Sequence, residues 1–276
     1  MKKYDIVIYG ATVRGIVAAI ENKLQGKDVL LLNYYGFPGG SITESLNCLQ
    51  EMPGNQCSGI IRNILEKYRS ENCSSLYEYE ELSLLNPEIL KYTLQSELSE
   101  HGIEVLYHVQ PMKTHYYDNC FYLQLLGKEG IIEVVSEHLT DASADHRLLI
   151  SAGYAQPEPV CQRHNIFLSA GTSEMPALQE DYQGLSRLCT LSDGRIWLSY
   201  DVIETDPLLV EKRSQEIFTF VSDRLSGSGR RIQIVPAQPH ILYSYPETND
   251  PCHIGASPDI AVLIGSGYDA EKEFLT

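Results

Sequence analysis

Basic residues are scarce in this chain: 21 Lys and Arg stand against 37 Asp and Glu, for a formal net charge of −16. So acidic a polymer repels phosphate backbones and anionic bilayers, which argues against nucleic acid and against a membrane as partner. Long apolar runs are missing as well. None approaches the roughly twenty residues of a membrane-crossing helix, and Met1-Lys2-Lys3-Tyr4-Asp5 passes into a strand pattern without the apolar core of a signal peptide. A cytoplasmic location is therefore expected. The seven cysteines form an odd set with no C-x-x-C pair, which excludes the usual redox dithiol and leaves scattered reduced thiols as the expectation. Metal-ligand spacing is absent among the eight His; His101, His108 and His115 recur regularly but cross a helix end and two strand patterns. No carboxylate pair or His stands at a spacing that marks a catalytic acid or base, so the catalytic residue stays unknown at this level.

What is present is concentrated in the first forty residues. Ile6-Val7-Ile8-Tyr9 is a β-prone run with the composition of a central parallel strand buried on both faces. Gly10 permits a sharp turn. Val13, Ile16, Val17, Ala19, Ile20 and Leu24 then keep a helical period up to Gly26, and Val29-Leu30-Leu31-Leu32 reads as a second strand ending at Asn33. In such a strand–turn–helix–strand unit the helix N-terminus offers unpaired N–H groups to a pyrophosphate, while Gly15 lets the helix lie close to the strand. Gly10, Thr12, Val13, Arg14 and Gly15 are thus candidates to hold a dinucleotide. Thr12 occupies the place of the fingerprint's second glycine, where its hydroxyl can itself donate. An acid is the rule about twenty residues further on, to accept from the ribose hydroxyls; Asn33 stands there and offers an uncharged acceptor. Replacing it by an acid is expected to tighten binding.

The unit from Tyr4 to Asn33, followed by Gly36-Phe37-Pro38-Gly39-Gly40-Ser41-Ile42-Thr43, resembles the start of the FAD-dependent oxidoreductases with a G-x-T-x-x-G turn and a G-G-x-x-T loop. Asn86-Pro87-Glu88-Ile89-Leu90-Lys91, leading to Gly102-Ile103-Glu104-Val105-Leu106, is similar to the helix and strand that follow in that family. Leu139-Thr140-Asp141-Ala142-Ser143-Ala144-Asp145 is similar to its D-A-T-G-D strand end. The resemblance implies an α/β fold: a Rossmann-like FAD/NAD(P)-binding domain with a parallel sheet, an inserted antiparallel β-meander and a smaller second α+β region. It implies FAD as cofactor and a small molecule as substrate. It also implies Gly39, Gly40 and Thr43 near the isoalloxazine, with Asn47 and Cys48 as further cavity candidates, and Asp141 near the ribityl and phosphate stretch. Members usually continue past a returning strand into a glycine-rich helix facing the flavin. Here Tyr268 to Thr276 follow Gly267, so weak FAD binding is expected unless a second copy or another subunit completes the site. The alternative is a non-catalytic member of the same fold acting as a partner subunit.

Downstream patterns divide the chain into 1–155, a smaller region over 156–258, and a returning strand with C-terminal stub over 259–276. Glu44 to Gly59 reads as loop, Ile60 to Ser70 as an amphipathic helix, and Glu78-Tyr79-Glu80-Glu81 as a solvated acidic face. Asn86 and Pro87 start a helix. Lys113–Tyr117, Cys120–Leu126 and Gly130–Val135 are the meander, separated by hairpin signals. In the second region Asn165–Ala170, Arg195–Tyr200 and Ile232–Val235 read as strands, Asp206-Pro207 opens a long helix, and Pro236 to Pro258 reads as loop.

Overall fold

The structure is a computed structural model that describes residues 2–52, 59–79, 82–143, 146–153, 158–169, 185–204, 206–226, 233–235, 237–244 and 260–262. Asp145, Arg230-Arg231, the Gly227–Gly229 helix stop, Gly265–Gly267 and the C-terminal stub lie outside those residues.

Strand β1 (Lys2–Tyr9), helix α1 (Val13–Leu24) and strand β2 (Val29–Asn33) form the opening unit. The two strands pair in parallel, Ile6 opposite Val29 through Tyr9 opposite Leu32. Because side chains alternate along a strand, Ile6, Ile8, Val29 and Leu31 enter one core while Val7, Tyr9, Leu30 and Leu32 enter a second on the other face. The continuous apolar run follows from covering both faces. Next come α2 (Ser41–Glu44), β3 (Leu49–Glu51), α3 (Gly59–Ser70), β4 (Ser75–Tyr79), β5 (Leu82–Leu85), α4 (Pro87–Glu100) and β6 (Glu104–Tyr107). Asn86 caps α4, accepting from Glu88 N at 3.1 Å. The sheet extends as β6 pairs in parallel with β2.

The meander is β7 (Gln110–Tyr117), β8 (Cys120–Gly127) and β9 (Gly130–Asp141). Asp118 and Asn119 both sit at positive φ, 51° and 57°, as a primed two-residue turn requires. Its third strand does double service. β9 pairs antiparallel with β8 up to Ser136, and parallel with β1 from Val134 to Asp141. After α5 (Arg147–Ser151) come β10 (Glu158–Ser169), β11 (Leu185–Thr190), β12 (Arg195–Val202), α6 (Pro207–Ser226), β13 (Gln233–Val235), β14 (His240–Ser244) and β15 (Ile260–Val262). The first sheet runs β6-β2-β1-β9-β8-β7, with β15 beside β9 at Leu139–Asp141. A second sheet runs β11-β12-β10-β13, with β14 also on β10. The architecture is the α/β, Rossmann-like fold with an antiparallel insertion and a smaller second region.

Alternation also sorts the second sheet. Ile166, Leu168, Ile196, Leu198 and Tyr200 pack with Val210, Ile217 and Val221 of α6. Phe167 and Trp197, on the opposite face, join the main core of the first region. Two hydrogen bonds seal that junction: Trp197 Nε1 donates to Leu46 O at 2.9 Å, and Asn165 Nδ2 to Ser45 O at 2.9 Å.

Two local readings are corrected. The stretch read as loop from Glu44 holds β3, which joins β5 and β4 in a three-stranded antiparallel sheet. Glu78 of the acidic patch is exposed, as read, and lies in β4. The proline-dense loop contains β14, registered on β10 with His240 opposite Arg163. For β3 and β14 pairing with a strand distant in sequence overrides local turn signals, and proline is tolerated just outside a strand.

Candidate functional site

The site is built from the turn between β1 and α1. Gly10 sits at φ +104°, and a Cβ there would lie 2.6 Å from Ser143 N; a Cβ on Gly15 would lie 2.0 Å from Gly10 O. Both contacts are backbone, so neither can yield cheaply. Thr12 is the N-cap, accepting from Gly15 N at 3.1 Å while its hydroxyl donates to Ala142 O at 3.1 Å. Ala11 N donates to Asn33 Oδ1 at 3.0 Å. With those donors engaged, the N–H groups of Thr12 and Val13 carry no hydrogen bond among the described residues, the usual state of a helix's first turn. Val13 is buried and Arg14 half-buried at the start of α1.

Asn33 is held on both sides. Its Nδ2 donates to Phe37 O at 2.9 Å and Tyr35 O at 3.3 Å, so it ties the end of β2 to the turn and to the following loop. That loop docks on the turn through Gly39 N, which donates to Ala11 O at 2.8 Å. Thr43 Oγ1 donates to Pro38 O at 2.9 Å, and Gly39 at φ +121° leaves no room for a Cβ against the Thr43 side chain. Gly40 is the N-cap of α2. Asn47 is buried, and Cys48 is fully buried with its Sγ donating to Ile42 O; burial pushes that thiol up, away from thiolate chemistry. Asp141, also buried, accepts from Ser143 N at 3.0 Å, Ser143 Oγ at 2.6 Å and Leu149 N at 3.1 Å, and so fixes the turn from β9 into α5.

These elements converge on a cavity of about 160 Å³ at the carboxyl ends of β1 and β2, where open parallel sheets bind ligands. Gly10, Thr12 and Asn33 line it. Val13, Arg14, Gly15, Gly39, Gly40, Thr43 and Asp141 do not; they lie in the turns and the helix start beside it. Sequence reasoning missed Tyr34, Tyr35, Ser143 and Arg147 of the first region, and Gln238 to Ile241 of the second. Tyr34 and Tyr35 were legible as the residues next after β2. The Arg147 guanidinium lies over the Tyr34 ring at 3.9 Å. His240 had no local signal, since its strand reads as loop. Its ring is buried and neutral: burial foremost, and then Arg163, push its pKa down to about 4, against Asp201.

A helix N-terminus with two N–H groups to give, a cation at the wall and aromatic faces fit the phosphate end of a dinucleotide. The volume is below the ~300–1,000 Å³ of whole small-molecule sites, so this cavity takes one part of such a ligand. A search of curated protein sequences finds no match. Among solved structures, p-nitrophenol 4-monooxygenase PnpA from Pseudomonas putida is similar at 13% identity and a TM-score of 0.59, covering 88% of this chain and 69% of that one. A flavoprotein/dehydrogenase from Cytophaga hutchinsonii gives 13% and 0.57, covering 95% and 70%. Aklavinone-11 hydroxylase, solved with FAD and the small molecule aklavinone, gives 12% and 0.56, covering 95% of this chain and 57% of its own. At such identities these show the fold. No helix among the described residues is long and apolar enough to cross a membrane. The family described as FAD dependent oxidoreductase matches residues 5–166, which span the glycine turn, the docked loop and the meander described above. The chain therefore belongs to that family, with FAD as its cofactor and flavin-dependent redox chemistry as its function.

Proposed function

We propose that the chain seats FAD across the carboxyl ends of β1, β2 and β9 and uses it to oxidise or reduce a small molecule. The observation that carries this reading is the Gly10–Gly15 backbone contact, which brings the α1 N-terminus to the cavity wall. In this reading the N–H groups of Thr12 and Val13 receive the pyrophosphate, Arg14 follows them in the first turn of α1, and Gly15 keeps that turn in position. Asn33 contributes by holding the turn and the loop, with its amide beside the ribose. Gly39, Gly40 and Thr43 shape the approach to the isoalloxazine, and Asp141 holds Ser143 at the wall. Bound flavin supplies the electron-transfer chemistry, while the protein supplies position and electrostatics.

The test is to purify the full chain, measure released FAD per chain, and titrate the stripped protein with FAD by dialysis. Saturable binding with visible absorption is expected; a folded protein that binds no FAD overturns the proposal. Light scattering during that titration reports whether a second copy joins as the site fills.

A further inference from the structure

A buried polar atom without a partner costs stability unless something outside the fold satisfies it. Among the described residues, Gln50 Oε1, Asn165 Oδ1 and His240 Nε2 are buried with no hydrogen-bond partner. Of these three, only His240 lines the cavity. The residue is 6% exposed and is carried by β14, opposite Arg163 of β10. Arg163 is itself engaged by Asp201, through Nε at 2.8 Å and Nη2 at 3.1 Å. The neighbouring charges thus satisfy each other and leave the imidazole aside. Register places Arg163, Asp201 and His240 on the face of the second sheet that also carries Phe167 and Trp197, the face packed against the first region. Gly10 and Thr12 line the same cavity.

We infer that His240 is a binding residue for the dinucleotide, its Nε2 hydrogen-bonding an oxygen of the pyrophosphate–ribityl stretch that rests on the Gly10–Thr12 turn. This rests on the proposed FAD site and adds that the second region closes it. The role suits a neutral imidazole, which can donate from one nitrogen and accept at the other, whereas a charged group would need desolvation on each binding event. Burial and Arg163 keep the ring in that neutral form at physiological pH. The site is then composite: one region brings the helix N-terminus and the other brings the His240 imidazole.

The experiment compares the wild type with His240→Phe and His240→Gln, measuring FAD affinity by dialysis and melting temperature without flavin. His240→Phe keeps the ring's bulk and removes both nitrogens. It should weaken FAD binding 10- to 100-fold while the flavin-free melting temperature holds or rises, because the unsatisfied atom is gone. His240→Gln, which restores a polar tip, should bind within several-fold of the wild type. If His240→Phe binds FAD as tightly as the wild type, the inference fails while the FAD site stands. A drop in its flavin-free melting temperature would mean that the imidazole supports the fold, and also overturns the inference. A folded wild type that takes up no FAD fails the site itself, a result separable from the other two.

Discussion

The two regions contribute to the cavity in different ways. The first, from β1 to α5, supplies the backbone of the seat, a turn at positive φ, a glycine pressed on a carbonyl, an N-cap and N–H groups at a helix start, together with Tyr34 and Arg147 at the wall. The second contributes through side chains on one sheet face, with His240 at the cavity and the Arg163–Asp201 pair behind it. Backbone geometry is dictated by few residues close in sequence. A sheet face is dictated by register between strands far apart, so the second contribution rests on the whole sheet being formed.

The sharpest way to break this contrast is Gly15→Ala. Its methyl would lie 2.0 Å from Gly10 O, so α1 must leave β1. We expect FAD retention to be lost and stability to fall by more than about 3 kcal/mol, at the severe end for a point mutation; urea unfolding and bound-flavin measurements report both. On the second region the matching probe is acid. His240 has a folded pKa near 4, below its ordinary value of 6.5, so between those values the unfolded chain binds the extra proton. Stability should therefore be complete above pH ~6.5 and fall by about 3 kcal/mol as pH drops to 4, at ~1.4 kcal/mol per unit. His164, also pushed down by burial, adds to the same slope. Flavin-free His240→Phe should flatten much of that slope in urea titrations across pH, and an unchanged slope would assign it elsewhere.

Asn33→Asp tests the first region through a side chain. From sequence alone an acid there improves ribose binding. In the structure the amide donates to Phe37 O and Tyr35 O and lies 3.5 Å from Glu44 Oε1, so a carboxylate would face acceptors. The expected outcome is a loss of about 2 kcal/mol, within the range for unsatisfied buried groups, measured by chemical denaturation. The smallest effect is predicted at the junction. Trp197→Phe removes the hydrogen bond to Leu46 O and should cost about 1–2 kcal/mol, with the two regions still melting together in calorimetry.

Legibility followed the same division. Ile6 to Tyr9, the Gly26 stop, the Asn86-Pro87 start and the Asp118-Asn119 turn are local signals, and β1, α1, α4 and the meander formed where they pointed. Gly10, Thr12 and Asn33 were legible as cavity residues because a turn after a strand has one geometry. β11 and β14 were not, because nothing within Leu185–Thr190 or His240–Ser244 announces the strand it will pair with. His240 was invisible for a further reason. Its distinguishing property is an unpaired buried nitrogen, which exists only after β14 has docked.

β9 acts as a ruler. Its twelve residues, roughly 40 Å long at ~3.3 Å each, are clamped by β8 at one end and β1 at the other. Its register on β1, with Tyr9 opposite Asp141, sets where the strand stops and with it the position of Ser143 at the cavity wall, while the hairpin at Lys128-Glu129 sets the register of β8 on the same strand. A one-residue insertion in that hairpin would make the two clamps disagree about which face each side chain takes. Either β7 and β8 peel from β9 or the strand end slides past the turn, so a surface loop far from the cavity helps to set the width of the ligand's seat.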